Sequence, residues 1–544
     1  MIKKIVSMAL ASVLALSVLC SCNGGKTSST ASSPDKSSSD AASTTTFTPT
    51  YPIVESPITV KAWVVGADMT NPRLLWSEDL YNLTNIKVEF SNIENDAFNA
   101  ALSGDEWPDF FHVSFNKSQR NEFGALGHKL VNYLDKLEIM PYLAKFMEEY
   151  PVAKQASLSN DGGMYGLFRY EEGPGLSMAR MHYNAEFLEK NNIAAPETLD
   201  EFYEVLKKCK EINGGAAPLV TNVNQTWAYY GAAMFPAFGE LNAFGRTLDA
   251  NDKVVNADIS DQYREYLKYV AKLYKEGLLH QEYMTLDTNS MSSLVQQGSG
   301  IFFAECALGL PVDTFTDGKW HIGTLKPLVA KKGDTPVAPE YEAVKADGKF
   351  PINAASKYVD EICRLLDTQF SKDEVKEGSG INGLAWNYGK SDTVFHIDEK
   401  TNTYTLTTRD GSADDYNTDW LNKNVIYDWA GVQFIMKYAP ATESNTKNRL
   451  EGYINNLLPY CTGKILHTGW LTFTDEEQDT LDSYSTEYDN YISQSRAQFI
   501  TDTEGMDIND DAVWKKYVDT VKSLHDDDLN KVYQDAYTRF SSTK

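Results

Sequence analysis

Between residues 181 and 213 the apolar positions fall into two helical runs separated by a stop. Asn191 and Asn192 weaken the first run, and Pro196 lacks an N–H and pushes Ala195 out of the helical region. Thr198 and Glu201 then stand in the T-x-x-E pattern, in which each side chain satisfies a backbone N–H of the other's residue, so a second helix begins within a residue or two of Thr198. Phe202, Val205, Leu206 and Cys209 share one face of it, Glu204, Lys207, Lys208 and Lys210 point elsewhere, and Gly214 with Gly215 ends it.

The same reading extends along the chain. Residues 58–65 (ITVKAWVV) alternate and are rich in β-branched side chains, which predicts a strand; 74–83 predicts a helix and 86–90 a second strand. A short helix at 98–102 and an apolar strand at 110–113 follow. Residues 263–279 form an amphipathic helix stopped at Gly277, 297–303 read as a glycine turn and strand, and 350–370 as a further helix. Strands alternating with helices predict an α/β fold with a parallel-dominated sheet, ligands lying at the carboxyl ends of strands. Asp68, in the loop after the first strand, occupies such a place.

The N-terminus changes the cellular setting. Lys3 and Lys4 precede an apolar run too short for a stable membrane span, as in a secretory signal, and Leu19-Cys20-Ser21-Cys22 resembles a bacterial lipobox with Cys22 as the lipidated residue. Cys20 fits poorly because bulky Leu19 would sit at the cleavage position. Residues 26–48, almost wholly Ser, Thr, Ala, Asp and Lys, have no apolar period and read as a flexible tether. Beyond it about 495 residues remain, enough for two or three domains by the usual size prior.

Charge and cysteines narrow the classes further. A net charge of −26 argues against nucleic-acid binding and suits an exported protein. Cys209, Cys306, Cys363 and Cys461 lie far apart in apolar surroundings and read as buried free thiols. The 8 histidines never fall three to five residues apart, so no local zinc motif exists, and the chain has no G-x-S-x-G elbow, P-loop or G-x-G-x-x-G. Asp502, Asp507, Asn509 and Asp511 lack the EF-hand order and glycine and read as a solvated acidic loop. Aromatics are abundant, with 10 Trp and 31 Tyr, and Trp227, Tyr229 and Tyr230 cluster after Asn222 and Asn224. Trp227 and Tyr230, three apart, share a helical face. Aromatic plates beside polar groups suit a pyranose ring, whose C–H faces are apolar and whose hydroxyls need partners.

Several stretches in order along the chain, YN at 183–184, FLEKNNI at 187–193, APETLDEF at 195–202, ALSGDEWPD at 101–109, GGMYGL at 162–167 and YREYLKYVAKLYKEGLL at 263–279, resemble passages of family 1 extracellular solute-binding proteins, the maltose-binding-protein-like receptors of ABC importers. The ending VYQDAYTR at 532–539 resembles the larger Gram-positive lipoproteins of that family. The chain departs from the family pattern at Leu167-Phe168, where leucine-proline is usual. The resemblance implies a two-lobed type II periplasmic-binding-protein fold joined by hinge crossovers. It implies a signal peptide over 1–21, a lipid-anchored tether over 22–50, lobe 1 over 51–170 plus about 326–375, and lobe 2 over 171–325 plus about 376–544 with a C-terminal helical extension.

It also implies a function. A monomeric, non-enzymatic receptor on the outer face of the cell membrane captures an oligosaccharide between its lobes and presents it to ABC permease subunits, without cofactor, metal or nucleic acid. In the family the region holding Trp227 and Tyr230 faces the cleft, Asp68 would meet sugar hydroxyls from lobe 1, and the turn GLAWNYG at 383–389 adds Trp386 to the expected ligand contacts. An exported carbohydrate-active enzyme, which needs only two carboxylates, and a peptide-binding receptor of similar architecture are the competing readings.

Overall fold

A computed structural model describes residues 47–65, 78–104, 106–171, 180–221, 231–241, 245–305, 320–340, 343–388, 395–398, 403–406, 432–433, 437–438 and 445–542. Residues 47–544 form one compact unit by backbone contacts, within which two large hydrophobic cores are separate.

The first core is built on three parallel strands in the order β2-β1-β3: β1 (Ile58–Val65), β2 (Ile86–Ile93) and β3 (Phe110–His112). The alternation read from ITVKAWVV is realised, with Val60, Ala62 and Val64 buried on one face and Trp63 and Val65 half-buried on the other. Helices α1 (Pro141–Glu149) and α2 (Pro151–Ser157), each opened by a proline at its first position, cover the inner face through Leu143, Phe146, Ala153 and Ala156. The chain then runs through β4 (Leu167–Glu171) towards the second core.

That second core surrounds a mixed sheet of order β8-β5-β7-β6, made of β5 (Arg180–Asn184), β6 (Leu219–Val220), β7 (Phe302–Glu305) and β8 (Ile322–Thr324). Strands β6 and β7 are parallel, whereas β5 runs antiparallel to both its neighbours. Between strands lie α3 (Ala185–Lys190), α4 (Leu199–Ile212) and α5 (Asp261–Lys275). Tyr263, Tyr266, Leu267, Val270 and Leu273 bury one stripe of α5, each apolar side chain contributing about 1.5 to 3 kcal/mol by leaving water.

The chain returns to the first core at β9 (Val344–Lys349), which pairs antiparallel with β4. Gly348 has φ +64°, and a Cβ there would strike the Phe115 carbonyl, so the ladder passes only with glycine. Helix α6 (Val359–Asp367) and helix α7 (Gly383–Tyr388) complete this core. Three long helices end the chain, α8 (Asp475–Thr501), α9 (Asp511–Ser523) and α10 (Asp526–Ser542), and they pack on the second core through Ile492, Phe499, Trp514, Tyr517 and Val532.

One expectation needs correction. The helix at 350–370 begins only at Val359, because Pro351 cannot donate and Phe350 (φ +52°) turns the chain into an extended stretch that bridges Ile352 to Phe110. The helix at 74–83 is described only as Leu80–Thr84, the residues before 78 lying outside the described set. Near the expected lobe boundaries at about 326 and 375, Leu325 and Leu328 pack in the second core and Ile381, Ala385 and Trp386 in the first.

Candidate functional site

Strand direction identifies one edge of each sheet where loops converge. In the first sheet β1, β2 and β3 end together, with Val65 paired to Ile93 and Val64 to His112. In the second, Val220 of β6 pairs with Phe303 of β7, and Glu305 at the carboxyl end of β7 pairs with Arg180 at the start of β5. Ligands bind at such edges in open α/β sheets.

The four residues named from sequence are not brought together by the described structure. Asp68 lies outside the described residues, three positions beyond the end of β1, and Trp227 and Tyr230 also lie outside them, beyond Thr221, which closes β6 fully buried. Cys22 is likewise outside.

Trp386 is described, and its place corrects the expectation. It is 0% exposed in the first core, its Nε1 donating to Thr368 Oγ1 at 2.9 Å and its ring edge-on to Phe350 at 6.3 Å. A ring without exposed surface offers no plate to a sugar. The helix it belongs to begins at Gly383, whose N–H bonds to Ser371 O at 2.8 Å, so α7 is drawn inward onto the turn after α6.

An aromatic cluster packs against β1 and β3. Phe111 meets Trp63 edge-on at 5.7 Å and Trp107 at 5.2 Å, Trp107 donates to Leu102 O at 3.1 Å, and Lys129 sits over the Trp107 ring at 5.2 Å. Trp63 and Trp107 remain half-buried. This cluster was missed in the sequence because Trp63 reads as one of many alternating strand positions and Trp107 lies in a motif taken for identity alone. On lobe 2, His182 Nδ1 lies 3.0 Å from Thr324 Oγ1 beneath Phe303, which lines the same sheet.

An open groove among the described residues lies elsewhere. About 720 Å³ of space separates α5 from the start of α4 and the end of α8, bordered by Phe238, Tyr269, Lys272 and Asp502. Along it Lys275 lies 3.7 Å from Asp502 and Lys272 sits over the Tyr203 ring at 3.5 Å. The acidic stretch from Asp502 is committed too: Asp507 Oδ1 accepts from Asn509 N at 2.9 Å, Asp510 caps α9, and Asp511 pairs with Arg264 at 2.8 Å. Among the described residues no three His, Cys, Asp or Glu side chains gather as a metal site. Cys209 and Cys363 are buried free thiols, burial pushing each up to about 12, and Cys461 is half-buried.

No protein-family model matches the chain. Lipoprotein LipO of Bacillus subtilis is 24% identical over 478 residues, spanning 81% of this chain and 84% of its own. The fructooligosaccharide ABC transporter substrate-binding protein FusA of Streptococcus pneumoniae is 23% identical over 97% of both chains. Among solved structures, a solute-binding protein associated with a human-milk-oligosaccharide ABC transporter from Bifidobacterium longum infantis superposes with TM-score 0.70 at 19% identity, over 89% of this chain and 99% of that one. An EF-hand mutant of FusA in complex with fructo-nystose gives TM-score 0.69 at 19% identity, over 90% of this chain and 100% of that one. The protein is thus a homologue of ABC-transporter substrate-binding proteins and has the two-lobed fold of the type II extracellular solute-binding proteins.

Proposed function

We propose that this protein is a lipid-anchored receptor on the outer face of the cell membrane that captures an oligosaccharide between its two lobes and delivers it to an ABC importer. The observation that carries the reading is the end-to-end match to FusA, covering 97% of each chain, on a fold with two separate cores joined by crossovers. A catalytic role would require a reacting constellation; capture requires only that the ligand contact both lobes and so favour the closed state. No helix among the described residues is long and apolar enough to cross a membrane, and the anchor is assigned to Cys22 from its lipobox pattern.

Within the cleft, Trp227 stacks on a sugar ring, Tyr230 extends that plate, and Asp68 accepts from paired hydroxyls across the gap. Hydroxyls left unpaired in a closed cleft would cost about 1 to 3 kcal/mol each. Half-buried Trp63 lies two residues before the carboxyl end of β1.

A thermal-shift screen of the purified protein against kestose, human milk oligosaccharides, alginate oligomers and polygalacturonan oligomers tests the reading. A ligand at about a hundred times its Kd stabilises by roughly 2.7 kcal/mol, a rise of several degrees in the unfolding midpoint. The expected outcome is such a rise with one oligosaccharide class and no shortened product on prolonged incubation. Steady product formation, abolished by changing one carboxylate, would make the protein a hydrolase instead. For the anchor, Cys22→Ala is expected to release the protein from the membrane fraction.

A further inference from the structure

The two cores are joined by more than the chain crossovers. Residues 461–477, with the end of α10, are rooted in lobe 2 and take hold of lobe 1 at several points. Leu471 is buried with Val254, Leu466 and Ala536 on the lobe 2 side. One residue earlier, Trp470 packs against the first core and donates from Nε1 to Val344 O at 2.9 Å, at the first residue of β9 where the chain re-enters lobe 1. On its other side the Trp470 ring stacks on His467 at 4.0 Å and lies 5.9 Å from Phe540 of α10.

The chain just before β9 is held by the same stretch. Ala338 and Pro339 pair in parallel with Cys461 and Gly463, Glu340 N donates to Gly463 O at 2.6 Å, and the Glu340 carboxylate lies 3.4 Å from His467 Nε2. Beyond Trp470, Leu471 O accepts from Lys117, Thr472 Oγ1 donates to Leu158 O at 3.1 Å, and Asn160 donates to Asp475 at 3.2 Å. Gln155 of α2 donates to Phe540 O. Arg539 braces the stretch from α10, donating to Thr472 O at 2.9 Å and to Glu477 at 2.7 Å.

We propose that this stretch is a clasp at the pivot, and that Trp470 and Arg539 are positioning residues that set the resting angle between the lobes and thereby the affinity for ligand. Contacts beside a covalent crossover survive small rotations but define where rotation starts. Trp470 touches the crossover at Val344 and is wedged between the first core and α10, so its bulk fixes the approach of one lobe to the other. Any bias in the resting angle is added to the free energy of closure, and ligand affinity changes by the same factor. The clasp stands on the described contacts; only its effect on affinity rests on the receptor reading above.

The test uses the full mature chain without ligand first. Small-angle X-ray scattering of Trp470→Ala is expected to shift the interlobe distance distribution, Trp470→Phe, which keeps a packed ring, to return it towards wild type, and the surface pair Thr472→Val/Arg539→Gln to shift it without opening the core. A structural role alone would lower the unfolding midpoint and leave that distribution unmoved. Should Trp470→Ala not fold, the surface pair carries the test. Where the glycan screen yields a binder, calorimetry with that sugar is expected to show an affinity change of about five- to tenfold. Folded variants of both kinds with the wild-type distance distribution would overturn the proposal. A shifted distribution with no sugar bound would leave the clasp standing and remove the receptor reading.

Discussion

Two tryptophans now make opposite claims. Trp386, wholly buried and bonded to Thr368, is part of the first core, so Trp386→Ala is expected to cost about 3 to 5 kcal/mol of folding stability while ligand affinity at 25 °C changes little. Trp227 is proposed as the sugar plate, so Trp227→Ala should lower affinity by roughly ten- to hundredfold and stability far less. Urea unfolding and calorimetry on the two variants check both statements; a Trp227 variant that binds unchanged would remove that residue from the site. The sequence could not separate these residues. Both sit near glycines and other aromatics, and burial depends on which distant segment packs above, here the turn at Thr368 and the ring of Phe350.

Among elements, what was legible followed from local chemistry. Helix α4 starts at Leu199 because the Thr198 and Glu201 capping box forms as read, with Glu201 N donating to Thr198 Oγ1 at 3.1 Å, and Phe202, Leu206 and Cys209 are each 0% exposed. The helix at α6 was overextended because its true start is decided by the strand bridge at Ile352, a contact 242 positions distant in sequence and invisible to periodicity. A further long-range tie carries a prediction. Asp367, the last residue of α6, accepts from Tyr142 N at 3.2 Å and Leu143 N at 2.8 Å in the first turn of α1. Burial pushes its carboxyl up from 3.8 to about 7, against the pull of those two N–H groups. Between these values the unfolded chain has lost the proton and the folded chain keeps it. This contribution is therefore fully present below about pH 4 and lost as pH rises through about 7. Relative to wild type, Asp367→Asn should flatten the fall in unfolding midpoint between pH 4 and pH 7; parallel profiles would show that Asp367 is ionised throughout.

On the scale of the whole molecule, the order of family-like passages made the two lobes legible, whereas their seams were not, because the C-terminal helices choose their partner through side chains far from them in sequence. Arg246 and Asp526 show how. They are bonded at 2.8 Å with side chains only 4% and 3% exposed; Asn256 donates to the same carboxylate at 2.8 Å, and Arg246 reaches Tyr488 OH at 2.9 Å. Arg496 of α8 similarly meets Asp258 at 3.3 Å and Tyr263 OH at 2.6 Å. These pairs join α8 and α10 to lobe 2 at places that sequence shows only as scattered charges. Their net worth against an apolar pair is small, because burying both ions costs about as much as their attraction returns, but removing one partner strands the other. Asp526→Ala is accordingly expected to destabilise the protein by about 3 to 5 kcal/mol and to speed proteolytic cleavage within 511–542, whereas the double change Arg246→Met/Asp526→Leu should recover most of that loss. Chemical unfolding with limited proteolysis measures both. A single variant that loses less than about 1 kcal/mol would mean that the pair behaves as a solvated surface bridge, and that α10 is held to lobe 2 by its apolar side chains, Leu529, Val532 and Ala536 among them.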